Sequence, residues 1–167
     1  MIKIGLISDT HGFLDPKVEK HFSEVDEIWH AGDIGENEVL GKLQKLKTTK
    51  AVFGNIETVE MQRNLPEVHT EEIQGLKIMM IHIAGKPGRY AKGINDLLRK
   101  HQPDVLICGH SHILRVERDP KHKLIFINPG AAGQQGFHKK RTIMRFAIDQ
   151  GKLKNMEVIE LGTRGKA

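Results

Sequence analysis

Seven residues with side chains that bind divalent cations recur where apolar stretches of this sequence end. Two are carboxylates, one is an amide and four are imidazoles: Asp9, His11, Asp33, Asn55, His82, His110 and His112. Oxygen and nitrogen ligands without a thiolate suit Mn²⁺, Fe, Zn²⁺ or Ni²⁺. Seven ligands are too many for one four-coordinate site with an open position, but they are enough for two cations that share a carboxylate.

The spacing of these residues predicts how they converge. Asp9 and His11 are two residues apart, and in an extended backbone such residues point to the same side. His110 and His112 have the same spacing. Asp33 is the best candidate for the shared ligand, because only a carboxylate offers two oxygens to two cations.

Each candidate also has a purely structural interpretation. Asp9 alone would be read as a helix cap or loop carboxylate, Asn55 as a left-handed turn residue and His82 as a hydrogen-bonded histidine at a strand end. A glycine precedes Asp33, Asn55 and His110, and we expect it to let the backbone turn sharply and substrate approach closely. The metal interpretation is preferred because the pattern recurs at five strand ends.

Alternating strands and helices in the first half of the chain place the first ligands at one edge of a sheet. The predicted elements are a strand at 2–7, a helix at 16–25, a strand at 27–30, a helix at 37–46 and a strand at 49–53. Such alternation predicts a parallel sheet with helical crossovers. Ligands of parallel sheets bind beyond the carboxyl ends of the strands, and the candidate residues lie there.

The second half of the chain is richer in strands. They are predicted at 68–73, 76–81, 105–108, 114–118, 124–127, 142–148 and 153–161, with one helix at 91–101. The alternating pattern of 68–73 is typical of an edge strand. Short turns join the last strands, so this part is expected to be antiparallel in part.

Length and composition indicate one domain spanning 1–167 with an ordinary hydrophobic core. No apolar stretch approaches the roughly 18 residues that span a bilayer, and the first residues do not resemble a signal peptide, so we expect a cytoplasmic protein. The lone Cys108 lies in an apolar stretch and is expected to be a buried, inert thiol. The net charge of +5 favours a solvated lysine-rich surface. The sequence lacks the basic stripe that is expected of a nuclease acting on long polymers.

The ordered pattern D-x-H, G-D, G-N, H, G-H-x-H is similar to that of the calcineurin-like metallophosphoesterases. The compact length and Asn128-Pro129-Gly130 resemble their small YfcE-type phosphodiesterase branch. The resemblance implies an α/β fold, a four-layer αββα sandwich of two mixed sheets, with a dinuclear metal centre. It assigns one cation to Asp9, His11 and His112, the other to Asn55, His82 and His110, and the bridging position to Asp33. Asp33, Asn55 and His82 are predicted to be catalytic as well.

The activity that the resemblance implies is hydrolysis of a small phosphodiester by a bridging hydroxide held between two divalent cations, with manganese preferred. A phosphomonoesterase, a hydrolase of cyclic nucleotides or oligonucleotides, and a non-enzymatic scaffold of the same fold are the alternatives. We expect no membrane partner and no stable nucleic-acid complex. Relatives often form dimers or tetramers, which favours a homo-oligomer.

One position departs from the pattern of the wider family. Many relatives read G-N-H-[DE] at the third motif, where this chain has Gly54-Asn55-Ile56-Glu57. Ile56 cannot donate a proton, and general acid catalysis typically contributes about 10²–10⁴-fold to rate. The sequence therefore favours substrates whose leaving group needs little protonation.

A few further residues stay open at this level. His30 and His138 are ambiguous between structural and functional roles. Lys86 and Arg89, in the loop after His82, are candidates for attracting an anionic substrate. The stretch 134–141, which ends at Arg141, is expected to be a basic surface turn.

Overall fold

Two five-stranded mixed sheets face each other in the computed structural model, which describes residues 1–165. The helices are α1 Lys17–His21, α2 Asn37–Leu46, α3 Val59–Asn64 and α4 Ile94–His101. The strands are β1 Ile2–Ile7, β2 Glu27–His30, β3 Thr48–Ala51, β4 Val68–Ile73, β5 Leu76–Ile81, β6 Gly85–Lys86, β7 Arg89–Tyr90, β8 Val105–Ile107, β9 Arg115–Asp119, β10 Leu124–Asn128, β11 Lys140–Asp149 and β12 Lys152–Thr163.

The first sheet has the order β12-β11-β1-β2-β3, with β1 at its centre. Strands β1, β2 and β3 are parallel, as their alternation with helices predicts, whereas β11 pairs with β1 in the antiparallel sense. The second sheet has the order β4-β5-β8-β10-β9. Its three inner strands are parallel and its two edge strands antiparallel, so the prediction of β4 as an edge strand is confirmed.

Buried apolar side chains form three clusters. One cluster lies between the sheets and joins Ile4 and Leu6 of β1 to Ile78 and Met80 of β5. A second lies between the first sheet and helices α1, α2 and α3, and a third between the second sheet and α4. The order of layers is therefore helix, sheet, sheet, helix, and the predicted fold class is confirmed. None of the helices in residues 1–165 is long and apolar enough to cross a bilayer.

Several elements differ from the sequence-based prediction. Helix α1 ends at His21 rather than at residue 25, because Ser23 Oγ donates to the Lys20 carbonyl and competes with the helical hydrogen bonds. Helix α3 was not predicted, since it buries only Met61 and therefore shows no apolar periodicity. The hairpin of β6 and β7 was missed as well, because strands of two residues carry no alternation.

Arg141 lies in the core, so the prediction that it belongs to a surface turn is wrong. Its side chain is fully buried, and its Nη1 donates to Asp15 Oδ2 over 2.7 Å. The carbonyl groups of Leu161 and Thr163 accept further hydrogen bonds from the guanidinium. Burial raises the pKa of Asp15, but the Lys17 N–H and the Arg141 guanidinium lower it more, so the pKa lies below its usual value.

Asp15→Asn is expected to lower the free energy of unfolding at pH 7 by about 3–5 kcal/mol, since it removes the carboxylate that neutralises a buried guanidinium. The lowered pKa means that Asp15 stabilises the fold above about pH 4 and that this contribution is lost as pH falls further. The deficit of the variant should therefore shrink between about pH 4 and pH 2. Urea unfolding across this range measures it.

Glu38→Gln is the matched control, because it removes an exposed carboxylate from the Glu38–Lys42 pair and should change stability little. A deficit of Asp15→Asn that stays constant down to pH 2 would contradict the role given to its charge.

Candidate metal centre

The carboxyl ends of parallel strands from both sheets meet at one end of the sandwich. In the first sheet Asp9 follows β1, Asp33 follows β2 and Asn55 follows β3. In the second sheet His82 follows β5, while His110 and His112 follow β8; these six residues and His11 are the predicted ligands. Because the inner strands of both sheets deliver their ends here, residues far apart in sequence lie close together.

The ligand atoms form two groups. One atom each from Asp9, His11 and His112 lie within 4.8 Å of one another, and the same holds for Asp33, His82 and His110. Asn55, whose Oδ1 lies 3.1 Å from His110 Nδ1, joins the second group. The structure thus separates the residues that the resemblance assigned to the two cations, and it places Asp33, the implied bridge, with the second group.

Asp33 lies between the two groups. Its Oδ2 is 3.5 Å from His11 Nε2 of the first group and 3.2 Å from His82 Nε2 of the second. Its Oδ1 accepts a hydrogen bond from the Ile56 N–H, which leaves Oδ2 facing the imidazoles. The Asp33 carboxylate therefore reaches both groups, as a shared ligand must, and it lies nearer to His82 of the second group than Asp9 Oδ1 does, at 3.8 Å.

Five of the seven candidate ligands have a left-handed backbone, with φ between 47° and 71°: Asp9, His11, Asp33, His110 and His112. The expectation that Asp9 and His11 converge through an extended backbone is therefore wrong. Their loop is held instead by main-chain hydrogen bonds, from Asp9 N to Gly32 O and from His11 N to Asp33 O, both 3.0 Å. Left-handed non-glycine residues are strained, and the pairing of these two loops holds Asp9 and His11 in that conformation.

Two glycines permit the close approach of the ligands to one another. A Cβ at Gly54 would lie 2.1 Å from Asp33 Oδ1, and a Cβ at Gly109 would lie 2.6 Å from Asp9 Oδ2. At these two positions the glycine makes room for a neighbouring carboxylate, which is a reason that the sequence did not show.

Unpartnered polar atoms test whether a cation fits this centre. Among the described residues, Asp9 Oδ1, His11 Nε2 and His82 Nε2 are buried and have no hydrogen-bond partner. Asp9 Oδ2 is satisfied by Ser8 Oγ and the His110 N–H, so only Oδ1 faces the imidazoles. Burying a carboxylate oxygen without a donor is costly, and divalent cations would satisfy all three atoms. The residues present fit the metals that the fold implies.

The imidazole of His82 is oriented for binding a cation. Its Nδ1 lies 2.7 Å from the Ala31 carbonyl and donates to it, so the lone pair is on Nε2, which faces the carboxylates. Burial lowers the pKa of His82, but the carboxylates of Asp33 and Asp9 raise it more. Burial likewise raises the pKa of Asp33, whereas His82, the Ile56 N–H and His11 lower it below its usual value.

The two ambiguous histidines differ in their surroundings. His30 is fully buried, its Nε2 lies 3.0 Å from Thr10 Oγ1, and burial lowers its pKa to about 3. It is therefore a neutral structural histidine beneath the ligand loop. His138 packs edge-on against His112, with ring centroids 5.1 Å apart, and its Nε2 donates to the Gly133 carbonyl. It supports a candidate ligand from the side.

Glu57 is the residue that sequence reasoning missed. Its buried carboxylate accepts hydrogen bonds from the N–H groups of Asp33, Gly35 and Gly54. It thus ties the loop after β2 to the loop after β3, which carry two of the candidate ligands. Its place in the Gly54-Asn55-Ile56-Glu57 motif was visible in the sequence, but its hydrogen-bond partners were not.

Comparison with known proteins identifies relatives over most of the chain. The family profile described as the calcineurin-like phosphoesterase superfamily domain matches residues 2–151. A probable metallophosphoesterase of Methanocaldococcus jannaschii is 37% identical over an alignment that covers 77% of this chain and 67% of that protein.

Solved structures share the fold. A structure described as a novel archaeal phosphodiesterase matches with a TM-score of 0.74 at 22% identity, covering 95% of this chain and 100% of that one. Vps29 of Entamoeba histolytica complexed with Zn²⁺ matches with a TM-score of 0.72 at 19% identity, covering 95% and 99% of the two chains.

Glu57→Gln is expected to weaken Mn²⁺ binding about 10- to 100-fold, the usual effect of losing a residue that orients a metal ligand. The amide also leaves buried N–H groups unpaired, at about 1–3 kcal/mol of stability for each. Calorimetric titration with Mn²⁺ and thermal unfolding measure the two effects. Glu60→Gln, an exposed change on α3, is the control. Wild-type affinity in Glu57→Gln would contradict its role in holding Asp33.

Proposed function

The chain belongs to the calcineurin-like phosphoesterase superfamily, and within it we propose that the protein is a metal-dependent phosphodiesterase with a dinuclear centre. The observation that carries the proposal is the position of Asp33 Oδ2, within 3.5 Å of an imidazole nitrogen from each ligand group. The family relationship supports a phosphoric ester hydrolase, and the ligand geometry supports two cations.

Asp9, His11 and His112 would hold one divalent cation, Asn55, His82 and His110 the other, and Asp33 would be shared. Manganese is the proposed metal, with Zn²⁺, Fe and Ni²⁺ as the alternatives, because all of them accept mixed oxygen and nitrogen ligands. When bound, such a pair of cations supplies an activated water and neutralises charge on the phosphoryl oxygens.

The chain's own residues determine how a diester approaches. Asp9, Asp33 and His82 form a buried floor, which excludes bulk water from their lone pairs. Asn55 and His110 are exposed. The phosphodiester would therefore approach from the side of Asn55 and His110, and its phosphoryl oxygens would face the imidazoles with their lone pairs already oriented.

A scaffold without catalytic activity is the alternative from another class. It is supported by the fold shared with Vps29, and the Zn²⁺ complex of the Entamoeba histolytica protein means that cation binding alone does not demonstrate an enzyme. Turnover is therefore the measurement that separates the two functions.

Asp33→Asn is expected to lower kcat at least about 10²- to 10³-fold, since it removes the charge of the shared ligand while keeping the oxygen that accepts from Ile56. Bound Mn²⁺ should fall as well. Release of 4-nitrophenolate from bis(4-nitrophenyl) phosphate and metal analysis of the purified protein measure the two quantities. Asp96→Asn, at an exposed carboxylate of α4, is the control. Full activity in Asp33→Asn would rule out the dinuclear proposal.

Ile56→His is expected to restore a proton donor beside the centre, because residue 56 is 40% exposed and its N–H already contacts Asp33. Activity should rise more for an alkyl diester, whose leaving group needs a proton, than for an aryl diester. Ile56→Ala is the size control. Equal changes for both diesters would contradict the interpretation of residue 56.

An aryl monoester and a 2′,3′-cyclic nucleotide in the same assay test the alternative substrate classes. If either one is hydrolysed faster than the aryl diester, that substrate class would replace the diester in the proposal.

A further inference from the structure

A basic cavity of about 340 Å³ lies beside the candidate metal centre. It is defined by Lys86, Arg89 and Arg115, and its remaining wall includes Ser111, Ile113 and Asn128. The hairpin of β6 and β7 supplies the first two cationic side chains, and β9 supplies the third. The sequence singled out Lys86 and Arg89 individually, and the structure places them with a third positive charge around one cavity.

The cavity and the metal centre share a wall. Ser111 stands in the chain between His110 and His112, so the cavity begins one residue, about 3.8 Å of chain, from a candidate ligand on either side. Asn128 Nδ2 donates to the Gly109 carbonyl over 2.9 Å and to Ser111 Oγ over 3.0 Å. These bonds fix the shared loop, so a molecule at the centre has a short and defined route into the cavity.

The charges of the basic cavity are only partly neutralised. Arg115 Nη1 pairs with Glu117 over 3.0 Å, whereas Lys86 and Arg89 form no ion pair within the part of the chain that the structure describes. Lys86 and Arg89 are also directly opposite each other in the β6–β7 hairpin, where like charges destabilise strand pairing. Two positive charges are therefore held together at a cost to the hairpin, and an anion between them would remove that cost.

The hairpin that carries these charges is anchored. The Ala91 N–H donates to the Ala84 carbonyl over 2.9 Å and closes the hairpin at its base. Tyr90 Oη donates to the buried Asp119 Oδ2 over 2.6 Å, which ties the hairpin to the last residue of β9. The backbone at Lys86 and Arg89 is thus held beside the cavity before any ligand arrives, which lowers the entropic cost of binding one.

We propose that the basic cavity binds a second phosphate, carried by one arm of the phosphodiester whose central phosphate lies at the metal centre. The inference rests on the proposed function. A phosphate monoester carries a charge of about −1.5 to −2 near pH 7, which matches the two positive charges without a partner. The guanidinium forks of Arg89 and Arg115 can each donate to two of its terminal oxygens at once. The substrate class is a small phosphodiester with a terminal phosphate, such as a short phosphorylated nucleotide.

The test compares two substrates with the same leaving group. Thymidine 5′-(4-nitrophenyl phosphate) with a 3′-phosphate is expected to have a kcat/KM at least about tenfold higher than the same diester without it. In Lys86→Ala/Arg89→Ala the ratio of the two kcat/KM values should fall close to one. Lys100→Ala, at an exposed lysine of α4 outside the cavity, should keep the wild-type ratio. Thermal unfolding of each variant confirms that it is folded.

Binding to the metal-loaded protein separates this inference from the proposed hydrolysis. Thymidine 3′,5′-bisphosphate should bind at least about tenfold more tightly than thymidine 5′-phosphate in calorimetric titrations, and the double variant should lose this preference. Preferential binding without turnover of either diester would contradict the proposed phosphodiesterase and support the phosphate site. A wild-type binding ratio close to one, or an unchanged ratio in the double variant, would overturn the phosphate site.

Discussion

Burial of negative charge at one point is the constraint on which the rest of this structure depends. Asp9 and Asp33 place carboxylates at the end of the sandwich where little solvent reaches them. Asp9 Oδ1 has no hydrogen-bond donor among the described residues, whereas the nearby carboxylate of Glu57 accepts three backbone N–H groups. The two buried carboxylates therefore differ in what satisfies them. Glu57 is satisfied by the chain itself, and Asp9 is arranged to be satisfied by something that the chain does not supply.

The two-sheet architecture follows from bringing these groups together. The parallel part of the first sheet aligns the ends of β1, β2 and β3, which supply carboxylate and amide oxygens. The imidazoles of the second sheet come from β5 and β8, whose parallel pairing aligns their ends in the same way. The core between the sheets, where Ile4 and Leu6 pack against Ile78 and Met80, therefore sets the separation of oxygen and nitrogen ligands. Packing and site geometry depend on the same contacts, with β1 at the centre of both.

The sequence predicted what depends on pattern and order along the chain. The parallel strands, the edge position of β4 and the grouping of candidate ligands at strand ends follow from apolar periodicity and from a motif of recognisable spacing. What it could not predict depends on tertiary partners or on very short elements. Arg141 reads as part of a basic turn until Asp15, 126 residues away, is found beside it in the core. The left-handed backbone of His11 is held by a hydrogen bond to the Asp33 carbonyl in another loop, and the sequence does not show that partner.

Fold alone does not decide function, but the placement of destabilising features does narrow it. Left-handed non-glycine residues cost roughly 1–3 kcal/mol each, and five of the candidate ligands carry that cost at one end of the molecule. The positive charges of Lys86 and Arg89, which face each other across the hairpin, add a further unfavourable contact beside the same centre. A scaffold that binds cations would share the first feature, but it gains nothing from the like charges of Lys86 and Arg89. Bound cations would stabilise the strained residues, and a bound anionic ester would reduce the repulsion between the two positive charges. The concentration of unfavourable features around the candidate metal centre therefore indicates a site that binds cations together with an anion.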